Sequence, residues 1–269
     1  MYIVATPIGN LEDITFRAVR ILREADLIAC EDTRQTRKLL NHFEISKPAV
    51  SYHEHNEQAR SADLLAELQK GRNIALVSDA DTPLIADPGY RLVSMAREAG
   101  VPVVPVPGPS AALAALSACG LPTSSFLFHG FLPAKAGQRR KTLEQLQNID
   151  TTLVLYEAPH RILETLAEVA AVLGARQVVL AREITKIHEE FLHGTAEELL
   201  EKLRQRGSIR GEFTLIIGKG AEAAAEDDTP VEEAVEKLIR EGVPRMDALK
   251  QVARSRGLSK REVYRRLQR

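Results

Sequence analysis

Ser78, Asp79, Asp81 and Thr82 crowd into the stretch directly after Ile74-Ala-Leu-Val77, and Pro83 and Pro88 stiffen the loop beyond them. The apolar run lacks polar alternation, as expected of a strand buried on both faces of a parallel sheet. Each proline fixes its own backbone and pushes its predecessor toward extended geometry. A rigid polar loop at the carboxyl end of a central strand is where open α/β sheets bind ligands. The same residues could also do no more than cap the next helix. Two other strand ends carry comparable turns, Thr6-Pro-Ile-Gly-Asn10 and Pro107-Gly-Pro-Ser-Ala111. Such turns present backbone N–H and C=O groups at fixed positions, suited to an adenosine and an amino-acid end but not to a pyrophosphate. No G-x-G-x-x-G follows the first strand and no Walker A sequence occurs, so nicotinamide redox chemistry and phosphate cradling find no support.

Glu31-Asp32-Thr-Arg34, at the end of another apolar run, could supply a general base and a cation, or a helix cap with an ion pair. His53-Glu-His55 puts two imidazoles on one side of a strand, yet no third ligand is evident. Loop packing or contact with a polyanionic partner is preferred there, and no metal is expected. Lys135, Arg139, Arg140 and Lys141 fall in a loop with Pro133 and Gly137. They could grip phosphates at a cleft edge, against the default of a solvated charge run.

These residues need elements to hold them. Strands at Tyr2–Ala5, Leu27–Cys30, Ala49–Tyr52, Ile74–Val77 and Val101–Val106 alternate with helices. The helices run from an Asp13 cap to about Arg23, near Thr33–His42, around Gln58–Gln69, from Gly89 to Glu98 and over Ala111–Ala118. This alternation implies a parallel five-stranded sheet with right-handed crossovers, and the two prolines of the last strand suit a sheet edge. A joint at Gly120-Leu-Pro122 separates a second α/β unit, with strands at Phe126–His129, Leu153–Tyr156, Val178–Ala181, near Phe191–His193 and at Phe213–Ile217. One connection there is too short for a crossover helix, so that sheet is expected to be mixed. Residues 1–119, 120–220 and 221–269 are the expected domains. The last holds an acidic linker to Pro230 and three short helices near Val231–Arg240, Met246–Ser255 and Lys260–Leu267.

The charge is divided unevenly. From Pro244 to Arg269 there are nine Lys/Arg against two Asp/Glu, leaving a net −8 on the residues before them. An acidic body with a basic tail suggests a polyanionic partner. Ala253, Gly257 and Val263 stand at helix-turn-helix spacing, and Ser259 would cap a last helix bearing Lys260, Arg261, Arg265 and Arg266. A plain helical bundle with a basic face would read the same way. Only Cys30 and Cys119 are present, which fits a reducing cytoplasm. The first residues carry no signal-peptide pattern, and no run is long enough to span a bilayer.

Thr6-Pro-Ile-Gly-Asn-Leu-Glu-Asp-Ile14, Ala29-Cys-Glu-Asp-Thr-Arg34, His55-Asn-Glu57, Ser78–Gly89, Pro107-Gly-Pro-Ser110 and Gly130-Phe-Leu-Pro133 closely resemble the ribosomal RNA small subunit methyltransferase I family. This family belongs to the tetrapyrrole-methylase-like, class III enzymes that use S-adenosylmethionine, and the resemblance covers essentially the whole chain. It implies 2′-O-methylation of a cytidine in the decoding centre of 16S ribosomal RNA by a homodimer. Each subunit would have two α/β domains with the donor in the cleft between them. By position it places Pro7, Ile8, Ser78, Asp79, Ala80, Thr82, Ser110 and Ala111 on the donor. Tyr156, Ala181 and Phe213 would close over the adenine, with Glu157 and Glu212 nearby. Asp79 could accept from the donor's ammonium, a charge-assisted bond of ~1.5–3 kcal/mol. For the ribose hydroxyl, a weak acid, Glu31 and Asp32 are the candidate bases and Arg34 the partner for a phosphate.

One position departs from the family pattern, which reads Ser-Asp-Ala-Gly-Thr-Pro where this chain has Asp81. A left-handed backbone tolerates Asp better than most residues, but the side chain would project toward the pocket. Weaker donor binding is the expectation, against the alternative that the carboxylate attracts the sulfonium charge. Two other functions are consistent with parts of the chain. Methylation of a small macrocycle such as a precorrin shares the fold but leaves the basic tail unexplained. A non-enzymatic RNA-binding assembly factor or helix-turn-helix regulator would explain the tail without turnover.

Overall fold

The computed structural model describes residues 1–220, 231–240, 243–255 and 263. The chain divides into two compact units, Met1–Gly220 and Ala221–Arg269.

In the first unit, β1 (Tyr2–Val4), β2 (Leu27–Cys30), β3 (Ala49–Ser51), β4 (Ile74–Val77) and β5 (Val104–Val106) form a sheet ordered β3-β2-β4-β1-β5. Every pairing in it is parallel. The helices are α1 (Phe16–Glu24), α2 (Thr33–His42), α3 (Glu57–Gln69), α4 (Tyr90–Glu98) and α5 (Ala111–Ala118). Val4, Ile28, Ala75 and Val77 point to one face and meet Leu22 and Leu40. Ile3, Ala29, Ile74 and Leu76 point to the other and meet Leu64 and Leu92. Burial on both faces is why β4 carries no polar alternation. β5 lies at the edge, where Pro105 costs no ladder bond on its outer side.

Two local expectations need correcting. Asp13 does not cap α1, because the chain first makes a short 3₁₀ turn over Leu11–Asp13. Thr15 then provides the extended residue a cap requires, and its Oγ1 accepts from Ala18 N at 3.1 Å. The basic segment after Pro133 is not a loop throughout, since α6 (Ala136–Leu146) already holds Arg139, Arg140 and Lys141.

The second sheet contains β6 (Phe126–Phe131), β7 (Thr152–Glu157), β8 (Gln177–Arg182), β9 (Glu190–Thr195) and β10 (Phe213–Ile217), ordered β6-β7-β10-β8-β9. Only β6 and β7 run parallel, so the sheet is mixed. α7 (Ile162–Leu173) and α8 (Ala196–Arg204) cover one face, burying Leu155, Leu166, Leu180, Leu199 and Leu215. The other face is sealed by α5, whose Ala112, Ala115 and Leu116 pack on Val154, Val179, Ala181 and Ile216. One helix from the first half of the chain therefore serves as the floor of the second sheet.

In the second unit, α9 (Val231–Arg240) and α10 (Arg245–Ser255) bury Val235, Leu249, Val252 and Ala253 together with Val263. The acidic linker and the basic positions Lys260, Arg261, Arg265 and Arg266 lie outside the described residues. No helix among the described residues is long and apolar enough to cross a membrane.

Candidate active site

The turns after β1 and β4 are locked to each other before any side chain enters. Thr6 N donates to Asp81 O at 3.0 Å and Asp81 N donates to Thr6 O at 3.1 Å. Thr6 Oγ1 donates to Ser78 O at 3.1 Å, and Ser78 Oγ donates to Ala80 O at 2.8 Å. The loop then runs through three non-glycine residues in the left-handed region, Asp81 at φ 67°, Leu84 at 74° and Ala86 at 65°. Such backbone costs on the order of 1–2 kcal/mol per residue and persists only where the surroundings hold it. This strained loop is one wall of a cleft of about 530 Å³.

The opposite wall comes from the second sheet, through Phe131, Tyr156, Phe213 and Thr214. Tyr156 packs edge-on against Phe128 and Phe131, with centroids 5.0 and 5.7 Å away. Its hydroxyl accepts from Ala112 N at 3.1 Å and donates to Asp81 Oδ2 at 2.8 Å. Asp81 also accepts from Ala111 N at 2.8 Å and from Thr82 N at 2.6 Å. The Asp81 side chain thus lines the cleft pinned across it rather than projecting freely. Burial, and then the Asp81 charge, raise the Tyr156 phenol well above its usual range.

Of the residues expected on the donor, Ile8, Asp79, Ala80, Ala111, Tyr156 and Phe213 line this cleft. Pro7, Ser78 and Thr82 do not; they shape the turns behind it. Ala181 is buried under α5, and Ser110 lines a second hollow of about 410 Å³ that shares Ile8. Glu157 and Glu212 are at the cleft. However, Glu157 is buried and already accepts from Ala158 N and Thr165 Oγ1 while pairing with Arg161.

The two candidate bases differ sharply. Asp32 caps α2 and holds Arg34 through bonds of 2.7–3.1 Å, which keep its carboxyl down at about 2. Glu31 lines the cleft, and burial followed by the nearby Asp79 pushes its carboxyl above the ordinary range. Asp79 is raised by burial too, and accepts from Asp32 N at 3.0 Å.

Among the cleft residues that sequence reasoning missed are two charged ones, Asp87 and Lys186. Burial, and then the Glu31 charge, push the Asp87 carboxyl up to about 6. Its place inside a resembled motif was the available signal. Lys186, in the turn between β8 and β9, bonds Glu183 and Glu212 at 2.8 Å each. Its stem lies against Gly9, where an added Cβ would sit 2.4 Å from Lys186 Cγ. Thr185 beside it donates to Asp13, joining the two halves at the cleft's edge. No local pattern marks either contact.

The basic segment separates as well. Lys135 precedes α6, and Arg140 is exposed, paired with Glu144 at 3.3 Å. Arg139 is only 2% exposed and bonds Glu164, Glu168 and Ala134 O. It turns inward to join α6 to α7, which corrects the expectation that it faces a phosphate.

The chain matches the family model for Tetrapyrrole (Corrin/Porphyrin) Methylases over residues 1–200. A Ribosomal RNA small subunit methyltransferase I from Halalkalibacterium halodurans is 52% identical, over 98% of this chain and 93% of that one. The protein of the same name from Escherichia coli O157:H7 is 48% identical, again over 98% and 93%. Among solved structures, a uroporphyrin-III-C-methyltransferase from Thermus thermophilus is 24% identical with a TM-score of 0.57, covering 81% of this chain and 93% of its own. The same enzyme complexed with S-adenosyl homocysteine, at 22%, also has a TM-score of 0.57, over 81% and 96%. A diphthine synthase, at 15%, reaches 0.62 over 81% and 88%. The chain belongs to the tetrapyrrole methylases, methyltransferases dependent on S-adenosylmethionine, in the branch named ribosomal RNA small subunit methyltransferase I.

Proposed function

We propose that this protein methylates the 2′-oxygen of a cytidine ribose in the decoding centre of 16S ribosomal RNA. The names of its relatives support the RNA class. The observation that carries the reaction is Glu31, a carboxylate with raised proton affinity inside a cleft walled by Ile8, Phe213 and Tyr156. That lining fits the donor, with apolar walls for an adenine and the Asp79 carboxylate for an ammonium. When bound, S-adenosylmethionine supplies a methyl group on a sulfonium, an electrophile. Phe213 and the Tyr156 ring would bound the adenine beside Ala80, while Ala111, whose N–H is held by Asp81, would stand at the donor's amino-acid end. Ser78, Thr82 and Pro7 hold the turns in register, while Ser110 and Ala181 support α5 and the sheet beneath. Glu31 accepts the proton of the ribose hydroxyl, and Asp32 keeps Arg34 at the rim for an RNA phosphate. Alignment of the hydroxyl supplies the larger part of the rate and the base a further ~10²–10⁴-fold.

Lys135 and Arg140 on the body, with Lys260, Arg261 and Arg265 of the tail, contact phosphates of the subunit. The division into residues 1–119, 120–220 and 221–269 follows these roles. A homodimer in the cytoplasm completes the reading. Phe16 and Ile187, each 98% exposed, support self-association, and the Asp13–Thr185 bond draws their two segments together.

Incubation with methyl-labelled donor and 30S subunits, naked 16S RNA or a precorrin separates the readings. Label recovered as 2′-O-methylcytidine from RNA is expected. Label on a base atom or on the macrocycle would refute the proposal, as would donor binding without turnover. Removal of residues 221–269 should weaken RNA binding and flatten its salt dependence while sparing donor binding.

A further inference from the structure

Asp81 occupies its place at a cost and makes an unusual set of bonds. Its backbone is left-handed, at φ 67°, yet its side chain is 7% exposed and satisfied on both oxygens. Oδ1 accepts from Thr82 N. Oδ2 takes two donors from outside its own loop, Ala111 N at 2.8 Å and Tyr156 Oη at 2.8 Å. The direction of the second bond is fixed, because Ala112 N already donates to the phenol oxygen and leaves its proton for Asp81.

Ala111 begins α5, an eight-residue helix whose N-cap Ser110 makes no side-chain cap bond. Its N–H therefore has Asp81 as its acceptor. Ala111 and Tyr156 both line the donor cleft. Together they make a two-donor anion position at a helix start, where the partial positive charge of the helix favours a carboxylate. The carboxylate found there is the protein's own.

The donor carries one carboxylate, on its amino-acid end beside the ammonium. Asp79, two residues from Asp81, lines the same cleft and suits that ammonium. Lys186, a cation that also lines the cleft, is already held by Glu183 and Glu212. We propose that Asp81 is an intramolecular competitor: its carboxylate fills the position at Ala111 N–H and Tyr156 Oη that the donor's carboxylate would take, and so sets donor affinity. This deepens the functional reading and rests on the donor occupying this cleft. A residue at 81 without a carboxylate leaves both donors open to the ligand, and glycine also relieves the left-handed backbone.

The test is calorimetry on full-length protein, comparing the wild type with Asp81→Gly and Asp81→Asn. Three ligands are titrated: S-adenosylmethionine, S-adenosylhomocysteine and decarboxylated S-adenosylmethionine. The glycine form is expected to bind the first two roughly tenfold or more tightly, and the decarboxylated ligand with less than about twofold change. Asparagine keeps an acceptor oxygen but no charge, so its gain should be intermediate. Equal or weaker binding of S-adenosylhomocysteine by both variants would overturn the proposal. An equal gain for the decarboxylated ligand would overturn it too. Weakened S-adenosylmethionine with unchanged S-adenosylhomocysteine would make Asp81 a counter-charge to the sulfonium, and would also overturn it. No binding of any ligand by any form would instead remove the donor from the cleft, and this competition with it.

Discussion

Replacing Arg139 by alanine should unfold the protein more easily and leave its RNA binding almost unchanged. The guanidinium is 2% exposed and holds Glu168, 20% exposed, at 3.3 Å, and Glu164, 67% exposed, at 3.0 Å. Breaking a buried pair by removing one partner costs roughly 3–5 kcal/mol, because the remaining charge is left without compensation. Glu164 can turn to water, so the penalty falls mainly on Glu168, and the emptied space beside α7 adds a cavity term. About 3 kcal/mol is a reasonable total, a large share of the ~5–15 kcal/mol typical of domain stability. For a unit of this size that corresponds to a melting point lower by roughly 6–12 °C. Arg139→Met fills the same space without the guanidinium and should recover part of the loss. Urea titrations of both variants give the energies, and filter binding to 16S RNA over a salt series gives the phosphate contribution. If Arg139→Ala melted within about 2 °C of the wild type while its salt slope fell by about one, the inward orientation would be wrong.

Asp87 governs a pH dependence of stability. Its carboxyl stands at about 6 in the fold, above the unfolded value of 3.8, so the folded state binds the extra proton. Its contribution is fully present below that unfolded value and is lost as pH rises through about 6. Asp87→Asn should therefore gain on the wild type across that window, by ~1 kcal/mol after allowing for solvent screening, in urea unfolding at both ends. Glu31→Gln should lower kcat by ~10²-fold or more with donor binding kept. It should also abolish the rise in rate with pH that Glu31 ionisation produces, whereas Asp32→Asn should cost less than about tenfold. A helix cap at residue 15 predicts a loss of ~1 kcal/mol for Thr15→Ala in thermal unfolding, with Asp13→Ala costing about half of that or less.

The parallel sheet was legible because its strands alternate with helices and its inner strands β2 and β4 are apolar and buried throughout, and the short step from Ala181 to Phe191 betrayed the antiparallel hairpin. The α1 start was misplaced because Asp13 and Thr15 are both good caps, and the choice between them depends on the intervening 3₁₀ turn. Arg139 looked like its neighbours because a buried arginine and a solvated one share the same local sequence. Its burial depends on Glu164 and Glu168, on the next helix. At the site, Ser78 to Thr82 follow one another directly after β4 and stand out as a polar loop, whereas Tyr156 and Phe213 on the opposite wall came only with the family resemblance. The Asp81–Tyr156 bond spans 75 residues and two sheets, so no window of sequence contains it.

The central claim is that the donor lies between the strained loop after β4 and the second sheet. Crystals soaked with S-adenosylhomocysteine test it most directly. Density beside Phe213, Tyr156 and Asp79, with the sulfur on the side of Glu31, is the outcome this account requires. Density elsewhere on the body, or a cleft closed by protein atoms while the ligand binds in solution, would contradict it.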